Sequence, residues 1–329
     1  MMAIIRNMRL FFLVFGSMIG LGTPCAAQLG PEWPSGSRVD SIPSTYDGSL
    51  QPVLLRVVPG DAPRPLVVSL HSWSGDYLQK DTLAHLAAAR GYHYVHPNFR
   101  GANRHPQACG SPAAIQDIDD AITYLRRMAA VDTAAIHVVG ASGGGHATMM
   151  AYLHTRQPVR TFSAWVGISD MEAWFYQCQA RGLRYAGEIA AVTQSQPAGP
   201  GVWTLDVAQA RRRSPLHLPV PIAGRAGSTL YLYAGIHDGY EGSVPISHTL
   251  HFFNKVVMAF APDDQEALIP EPSIQTMLRE RQYAWPEEEW IEGREVHFHK
   301  AFRELVEVTI FEGGHEMLPQ TALRPLLER

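Results

Sequence analysis

Cysteine is scarce in this sequence, with three residues in 329. None of the three lies in a C-x-x-C pair, and no cluster of cysteine and histidine has the ligand spacing of a zinc site. The sequence therefore argues against a structural metal centre, and we expect no metal site.

A strong charge of either sign is also absent. The 27 basic and 31 acidic residues leave a formal net charge of −4. This balance offers no surface for a polyanion, so we expect no nucleic-acid partner. With 46% hydrophobic and 18% charged residues, the chain has the composition of a globular protein, with room for one large α/β domain or two small ones.

Long hydrophobic runs are missing except near the N-terminus, where residues 10–19 are apolar. Arginines precede this run, and the small residues CAA follow at positions 25–27. This order predicts a secretory signal peptide over residues 1–27, cut after Ala27. The run is too short to span a membrane, so we expect an exported protein, periplasmic or extracellular, without membrane contact after cleavage. A lipid on Cys25 is disfavoured because a proline directly precedes that cysteine.

Export changes what the remaining cysteines can do. Cleavage after Ala27 leaves Cys109 and Cys178, and two cysteines can pair in an oxidising compartment. A disulfide also requires the two Cα atoms to lie within bridging distance, which a sequence does not reveal. A Cys109–Cys178 disulfide and two separate buried thiols therefore stay as alternatives.

Strand-like and helix-like segments alternate along most of the chain. Short apolar runs bounded by turn residues predict strands at 50–58, 66–70, 92–95, 136–139, 162–168, 230–234 and 306–311. Amphipathic or capped segments predict helices at 81–90, 115–128, 147–155 and 246–259. The alternation predicts an α/β fold with a mainly parallel central sheet and helices on both faces.

We expect residues 28–45 to form a lead segment and residues 46–329 to form a single domain. Two stretches, 171–228 and 261–299, interrupt the alternation, and the first is rich in aromatic residues. Long insertions after strands often serve as lids or substrate loops, so we interpret 171–228 in this way. Irregular packing is the alternative.

The segment GASGGG follows a predicted strand and opens a predicted helix. A phosphate-binding loop would need a nearby lysine, and a dinucleotide-binding loop would need glycine at the position of Thr148. The segment therefore matches neither motif. The G-x-S-x-G motif fits, with Gly140, Ser142 and Gly144. Such a tight turn leaves no room for side chains at either glycine and exposes the serine hydroxyl. We therefore predict Ser142 as a nucleophile and the backbone N–H of Gly143 as an oxyanion donor.

A serine nucleophile needs a histidine base and an acid that orients it, and in this fold class both follow later strands. His315 comes after the last predicted strand, in EGGHE, where glycines let a loop present the side chain. His297 and His299 lie in an alternating stretch and are expected on a strand surface. Asp238 follows the strand at 230–234 and is the preferred acid, because Asp170 is equally well explained as a helix cap.

The second oxyanion donor is expected in the loop after the strand at 66–70. That loop reads HSWSGD, and the backbone N–H of Trp73 is our first choice, followed by that of Ser72. The side chain of Trp73 could wall an acyl pocket, and simple packing is the alternative.

Seven segments in order resemble the catalytic domain of the prolyl oligopeptidase family and the related acetyl xylan esterase and dienelactone hydrolase groups, which share the α/β-hydrolase fold. They are LVVSLHSWSG, YHYVHPNFRG, DIDDAITYLRRM, GASGGG, RRRSP, HDGYEGSVPISHT and FEGGHEM. The resemblance covers residues 46–325 and implies Ser142 as nucleophile, His315 as base and Asp238 as acid. The sequence departs from the pattern at Ser72, where glycine is usual, and in extra residues at 239–243.

The resemblance implies a serine hydrolase that forms an acyl-enzyme and needs no metal or organic cofactor, and the predicted signal peptide implies that it is secreted. The segment between the predicted signal peptide and the domain is too short for the β-propeller of the large oligopeptidases, so the resemblance supports serine hydrolase chemistry and gives only weak support for peptidase activity. Expected substrates are a small-molecule ester, an acylated saccharide or a short peptide. The alternative from another class is a catalytically idle module that binds carbohydrate or peptide on the same fold.

Overall fold

A ten-stranded sheet runs through the computed structural model, which describes residues 29–283 and 288–327. Its strand order is β1-β2-β4-β3-β5-β6-β9-β12-β11-β10, and β7 pairs with β8 in a separate hairpin. The strands are β1 Ser37–Pro43, β2 Leu50–Arg56, β3 Arg64–Leu70, β4 His93–Pro97, β5 Val131–Ala141, β6 Thr161–Trp165, β7 Pro197–Gly199, β8 Val202–Trp203, β9 Thr229–Gly235, β10 Trp290–Ile291, β11 Arg294–Phe302 and β12 Val306–Phe311.

Helices connect most of these strands. They are α1 Thr82–Ala89, α2 Pro112–Met128, α3 Gly143–His154, α4 Met171–Ala180, α5 Tyr185–Val192, α6 Val207–Arg212, α7 Ile222–Arg225, α8 Ser247–Phe260, α9 Glu271–Glu280 and α10 Pro319–Ala322. Side-chain caps begin two of the predicted helices, since Asp81 accepts from the N–H of Leu83 and Ser111 accepts from the N–H of Ala114. In the described residues, no helix is long and apolar enough to cross a membrane.

The six central strands are parallel, and antiparallel strands close the sheet at both ends. The parallel run is β4-β3-β5-β6-β9-β12, while β1, β2, β10 and β11 pair in antiparallel fashion. Parallel strands with helical crossovers are covered on both faces, which explains why β4 and β6 are buried along their whole length. The predicted α/β fold is confirmed, and the carboxyl ends of the central strands meet at one edge of the sheet.

The lead segment expected at 28–45 contributes to the sheet. Residues 37–43 form β1, which pairs with β2 in antiparallel register, and Trp33 is buried in the main core. The predicted signal peptide lies outside the described residues.

The insertion 171–228 folds as four helices and the β7–β8 hairpin, and it has an apolar cluster of its own. Trp174, Phe175 and Ile189 are buried in this cluster together with Trp73 from the loop after β3. Tight packing of this kind supports the insertion as a folded element.

The two cysteines that could have formed a disulfide are free thiols in the structure. Cys109 and Cys178 are both buried, and burial raises the pKa of each thiol to about 12. Neutral thiols in apolar surroundings are poor nucleophiles, which matches the alternative of two separate buried cysteines.

Candidate active site

The serine of the G-x-S-x-G motif lies between β5 and α3 with a positive φ of 59° and a ψ of −116°, a combination outside the regions that L-residues ordinarily adopt. Such a conformation costs a non-glycine residue about 1–3 kcal/mol and is typical of functional turns. A Cβ atom on Gly140 would approach the backbone of Gly144 to 2.6 Å, so the turn has no room for one. Gly145 also has a steric reason, because a Cβ there would come within 2.9 Å of Gly167 Cα in the loop after β6.

The structure brings Asp238 and His315 together. Asp238 Oδ2 lies 2.7 Å from His315 Nδ1, the carboxylate is fully buried, and the imidazole is 24% exposed. Asp238 Oδ1 accepts hydrogen bonds from the backbone N–H groups of Gly239 and Val244. An Nδ1–H that donates to the carboxylate leaves Nε2 unprotonated, the tautomer that a general base requires.

The loops that carry the acid and the histidine interlock through their main chains. The N–H of His237 donates to the carbonyl of Gly313 at 3.0 Å, and a Cβ on Gly235 would overlap with the carbonyls of Gly313 and Gly314. A Cβ on Gly242 would come within 2.7 Å of His315 Cβ. Glycines on both loops therefore permit the close approach that the Asp238–His315 contact needs.

Ser142, Asp238 and His315 follow the carboxyl ends of β5, β9 and β12. These strands belong to the parallel part of the sheet, so the three side chains share one edge. Ligand sites in open α/β sheets form at this edge.

The other residues considered for these roles have different partners. Asp170 caps α4 by accepting from the N–H groups of Glu172 and Ala173, and it does not contact His315. His297 and His299 lie partly exposed on β11, as expected for a strand surface.

The backbone N–H groups of Gly143 and Trp73 are neighbours. A Cβ on Gly143 would overlap with the backbone N of Trp73, and neither N–H donates to any acceptor in residues 29–283 and 288–327. The Ser72 alternative is weakened, because its N–H and its hydroxyl both donate to Gln79 Oε1, at 3.0 and 2.7 Å. Two free, adjacent donors beside the serine are what an oxyanion hole requires.

The ring of Trp73 packs into the insertion rather than standing free. It is 3% exposed, it meets Trp174 edge-on at 4.8 Å between centroids, and its Nε1–H donates to Glu188 Oε2 at 2.6 Å. The carbonyl of Trp73 accepts from the N–H of Asn103 at 2.7 Å. Sequence reasoning missed Glu188 and Asn103, since neither lies in a motif and Glu188 is 115 residues from Trp73.

The insertion also holds the extra residues of the acid loop. Arg181 at the end of α4 donates to the carbonyls of Tyr240 and Gly242, and the Trp174 indole donates to the carbonyl of Ser243.

Of the parts of the chain that the structure describes, none assembles three or more His, Cys, Asp or Glu side chains that could hold a metal ion.

Comparison with known proteins agrees with this architecture. The model of the BD-FAE family, an α/β-hydrolase family, matches residues 59–181, less than half of the chain; this stretch includes Trp73 and Ser142 and ends before Asp238 and His315. No curated protein matches the sequence.

Solved structures resemble the chain at low sequence identity. Acylaminoacyl peptidase of Pyrococcus horikoshii is 17% identical, with a TM-score of 0.57 over 88% of this chain and 40% of that one. A puromycin-hydrolyzing peptidase of Mycobacterium tuberculosis is 16% identical, with a TM-score of 0.54 over 88% and 37%. An acylaminoacyl peptidase in complex with Z-Gly-Gly-Phe-chloromethyl ketone is 18% identical, with a TM-score of 0.58 over 89% and 41%.

The fold is therefore that of the α/β-hydrolases, as the motifs led us to expect. The chain spans less than half the length of the peptidases that it resembles.

Proposed function

We propose that this protein is an exported serine hydrolase that cleaves an acyl ester or a peptide bond. The observation that carries the proposal is the 2.7 Å contact between His315 and a buried Asp238, at the same sheet edge as Ser142 on its strained turn. Fold likeness alone would not support it, because one fold hosts many functions.

The geometry supports a two-step mechanism. His315 Nε2 takes the proton of Ser142 as the hydroxyl oxygen attacks the acyl carbon, and Asp238 stabilises the imidazolium that forms. The N–H groups of Gly143 and Trp73 hold the oxyanion, and the proton passes to the leaving group as the acyl-enzyme forms. Water, activated by the same histidine, then releases the acid and restores the serine.

The substrate class is a small-molecule ester, an acylated saccharide or a short peptide. Structural likeness to an acylaminoacyl peptidase and to a puromycin-hydrolyzing peptidase supports a peptide substrate. The match to the BD-FAE model gives no preference among the three substrate classes. The aromatic-rich insertion lies next to the oxyanion loop and is the element that we expect to select the substrate.

Labelling with a fluorophosphonate probe tests the proposal. The wild-type protein should label in a single position, and Ser142→Ala should abolish labelling while the protein keeps its circular dichroism spectrum. A folded wild-type protein that does not label would favour the idle binding module instead. A panel of p-nitrophenyl acetate, acetylated xylan, feruloyl esters and proline-containing peptides then identifies the substrate class.

A further inference from the structure

A groove with a volume of about 550 Å³ lies beside the C-terminal half of α3. Its walls come from α2, α3 and residues 209–218, and none of the proposed catalytic residues lines it. Met150 in its wall lies about two helical turns beyond Ser142, or about 12 Å along the axis of α3. The groove is therefore separate from the candidate active site, and its size is within the roughly 300–1,000 Å³ of small-molecule sites.

The lining combines an apolar surface with positive charge. Tyr46 and Pro112 supply exposed apolar surface and Leu218 adds a partly exposed side chain, while Ile115 and Met150 are buried beneath them. Arg156 and Arg212 are exposed at the groove, and in the described residues neither guanidinium forms a hydrogen bond or a salt bridge, although the charge of Arg156 acts on the buried Asp119. Unpaired arginines beside an apolar surface favour a ligand with one anionic end.

A third arginine in the lining, Arg213, adds positive charge, and its hydrogen bonds go to carbonyl groups rather than to a carboxylate. Arg213 donates to the carbonyls of Pro106, Ala108 and Cys109, which fix the loop before α2. Carbonyls carry no net charge, so the positive charge of Arg213 is not neutralised at these contacts.

The acidic residue among the described lining residues is Asp119, and its carboxylate already accepts hydrogen bonds. Asp119 is 4% exposed and accepts hydrogen bonds from the Thr155 hydroxyl and from the backbone N–H of Arg156. Burial raises the pKa of this carboxyl group. Three arginines therefore face one buried carboxylate, and the groove has an excess of positive charge.

We propose that this groove binds an amphipathic carboxylate, a function beyond the proposed hydrolysis. The apolar chain of the ligand lies on Tyr46, Pro112 and Leu218, and its carboxylate lies between Arg156 and Arg212. The planar guanidinium presents paired N–H donors that match the two oxygens of a carboxylate, and such charge-assisted pairs are stronger than neutral ones.

Isothermal titration calorimetry of the full chain with decanoate tests the proposal. The Ser142→Ala variant is used, so that binding is measured without turnover and independently of the proposed chemistry. We expect a Kd of roughly 1–100 μM for decanoate and no binding of decyltrimethylammonium, which has the same chain and the opposite charge. Arg156→Ala and Arg212→Ala should each weaken binding by about fivefold or more.

Two further variants make the experiment specific. Arg279→Ala removes an exposed arginine on α9, outside the groove, and should leave the affinity unchanged. Leu218→Glu places a carboxylate in the groove and should abolish decanoate binding, while the same substitution in a chain that retains Ser142 leaves fluorophosphonate labelling intact.

Three results would overturn the groove as a carboxylate site. They are a folded protein that gives no heat with millimolar decanoate, equal weakening by Arg279→Ala and Arg212→Ala, or loss of decanoate binding when the wild-type serine is blocked by the fluorophosphonate. The last result would place decanoate in the catalytic pocket. Failure of labelling alone would reject the hydrolase and leave the groove untouched.

Discussion

The sheet edge and the insertion 171–228 contribute to the candidate site in different ways. At the sheet edge the main chain does the positioning, as in the bond from the N–H of His237 to the carbonyl of Gly313. The insertion reaches the site through side chains, above all through Glu188, which accepts from the Trp73 indole. The sheet edge is therefore held by backbone groups, which every residue has. The insertion is held by side chains, which a single substitution can remove.

This difference between the two regions corresponds to two parts of the proposed mechanism, acid–base chemistry and oxyanion binding. Main-chain contacts set the separation between the loops that carry Asp238 and His315. The insertion packs around the ring of Trp73, whose backbone N–H is one of the two proposed oxyanion donors. We infer that changes at Glu188 alter oxyanion binding while the acid–base pair stays intact, whereas changes at Arg181 or Trp174, which hold the acid loop, also affect Asp238.

The largest effect is expected at the sheet edge. His315→Ala removes the proposed base, and kcat for an activated ester should fall by roughly 10³-fold or more. His299→Ala removes a histidine on β11 that contacts Thr309, and kcat should stay within about twofold of wild type, since surface substitutions have small effects. Steady-state kinetics with p-nitrophenyl acetate measures both, and equal losses in the two variants would rule out His315 as the base.

A smaller effect is expected from the insertion. Glu188→Ala removes the acceptor that fixes the Trp73 indole, so the backbone N–H of Trp73 shifts and kcat should fall by roughly 10- to 100-fold. KM should change little, because an oxyanion donor acts mainly in the transition state. Glu188→Gln keeps an oxygen acceptor and should restore most of the rate.

The matched control for this variant lies in the same insertion. Glu172 pairs with Arg211 at 2.7 Å and does not contact Trp73, so Glu172→Ala should leave kcat unchanged. If Glu188→Ala raised KM with kcat unchanged, or if Glu188→Gln failed to restore the rate, Glu188 would hold the fold or the substrate rather than the oxyanion loop.

Sequence patterns predicted the sheet edge well because its signals are local. The strands β3, β9 and β12 and the second half of β5 are short apolar runs, and the loops with Asp238 and His315 follow β9 and β12. The start of α3 was less evident, because the three glycines that open it have low helix propensity and are present for close packing.

Elements without a local signal could not be predicted. β1 is an edge strand in which only Ile42 is buried, so it lacks the alternation of a strand with one covered face. The β7–β8 hairpin is short and mostly exposed. The contact of Trp73 with Glu188 joins distant segments, and no spacing rule relates them.

The smallest effect is expected for a side-chain clamp at the sheet edge. Glu312 accepts from His237 at 2.9 Å and from His297 at 2.8 Å, which links the acid loop to β11. Main-chain bonds already hold these loops, so Glu312→Ala should change kcat by less than about twofold. At pH 7 the Tm should fall by about 2 °C, because partly exposed pairs of this kind contribute roughly 1 kcal/mol or less.

The pH dependence of that Tm loss has a defined sign. Burial raises the pKa of Glu312, but the hydrogen bonds from His297 and His237 outweigh burial and lower it below the ordinary value of 4.5. The stabilisation is therefore present above pH 4.5 and is lost as the pH falls through the lowered pKa, so wild type and Glu312→Ala should converge in Tm under acid conditions. Glu271→Ala, which breaks an exposed contact with His251, controls for the loss of any glutamate–histidine pair. A tenfold loss of kcat in Glu312→Ala would show that side chains, rather than the main chain, hold the two loops together.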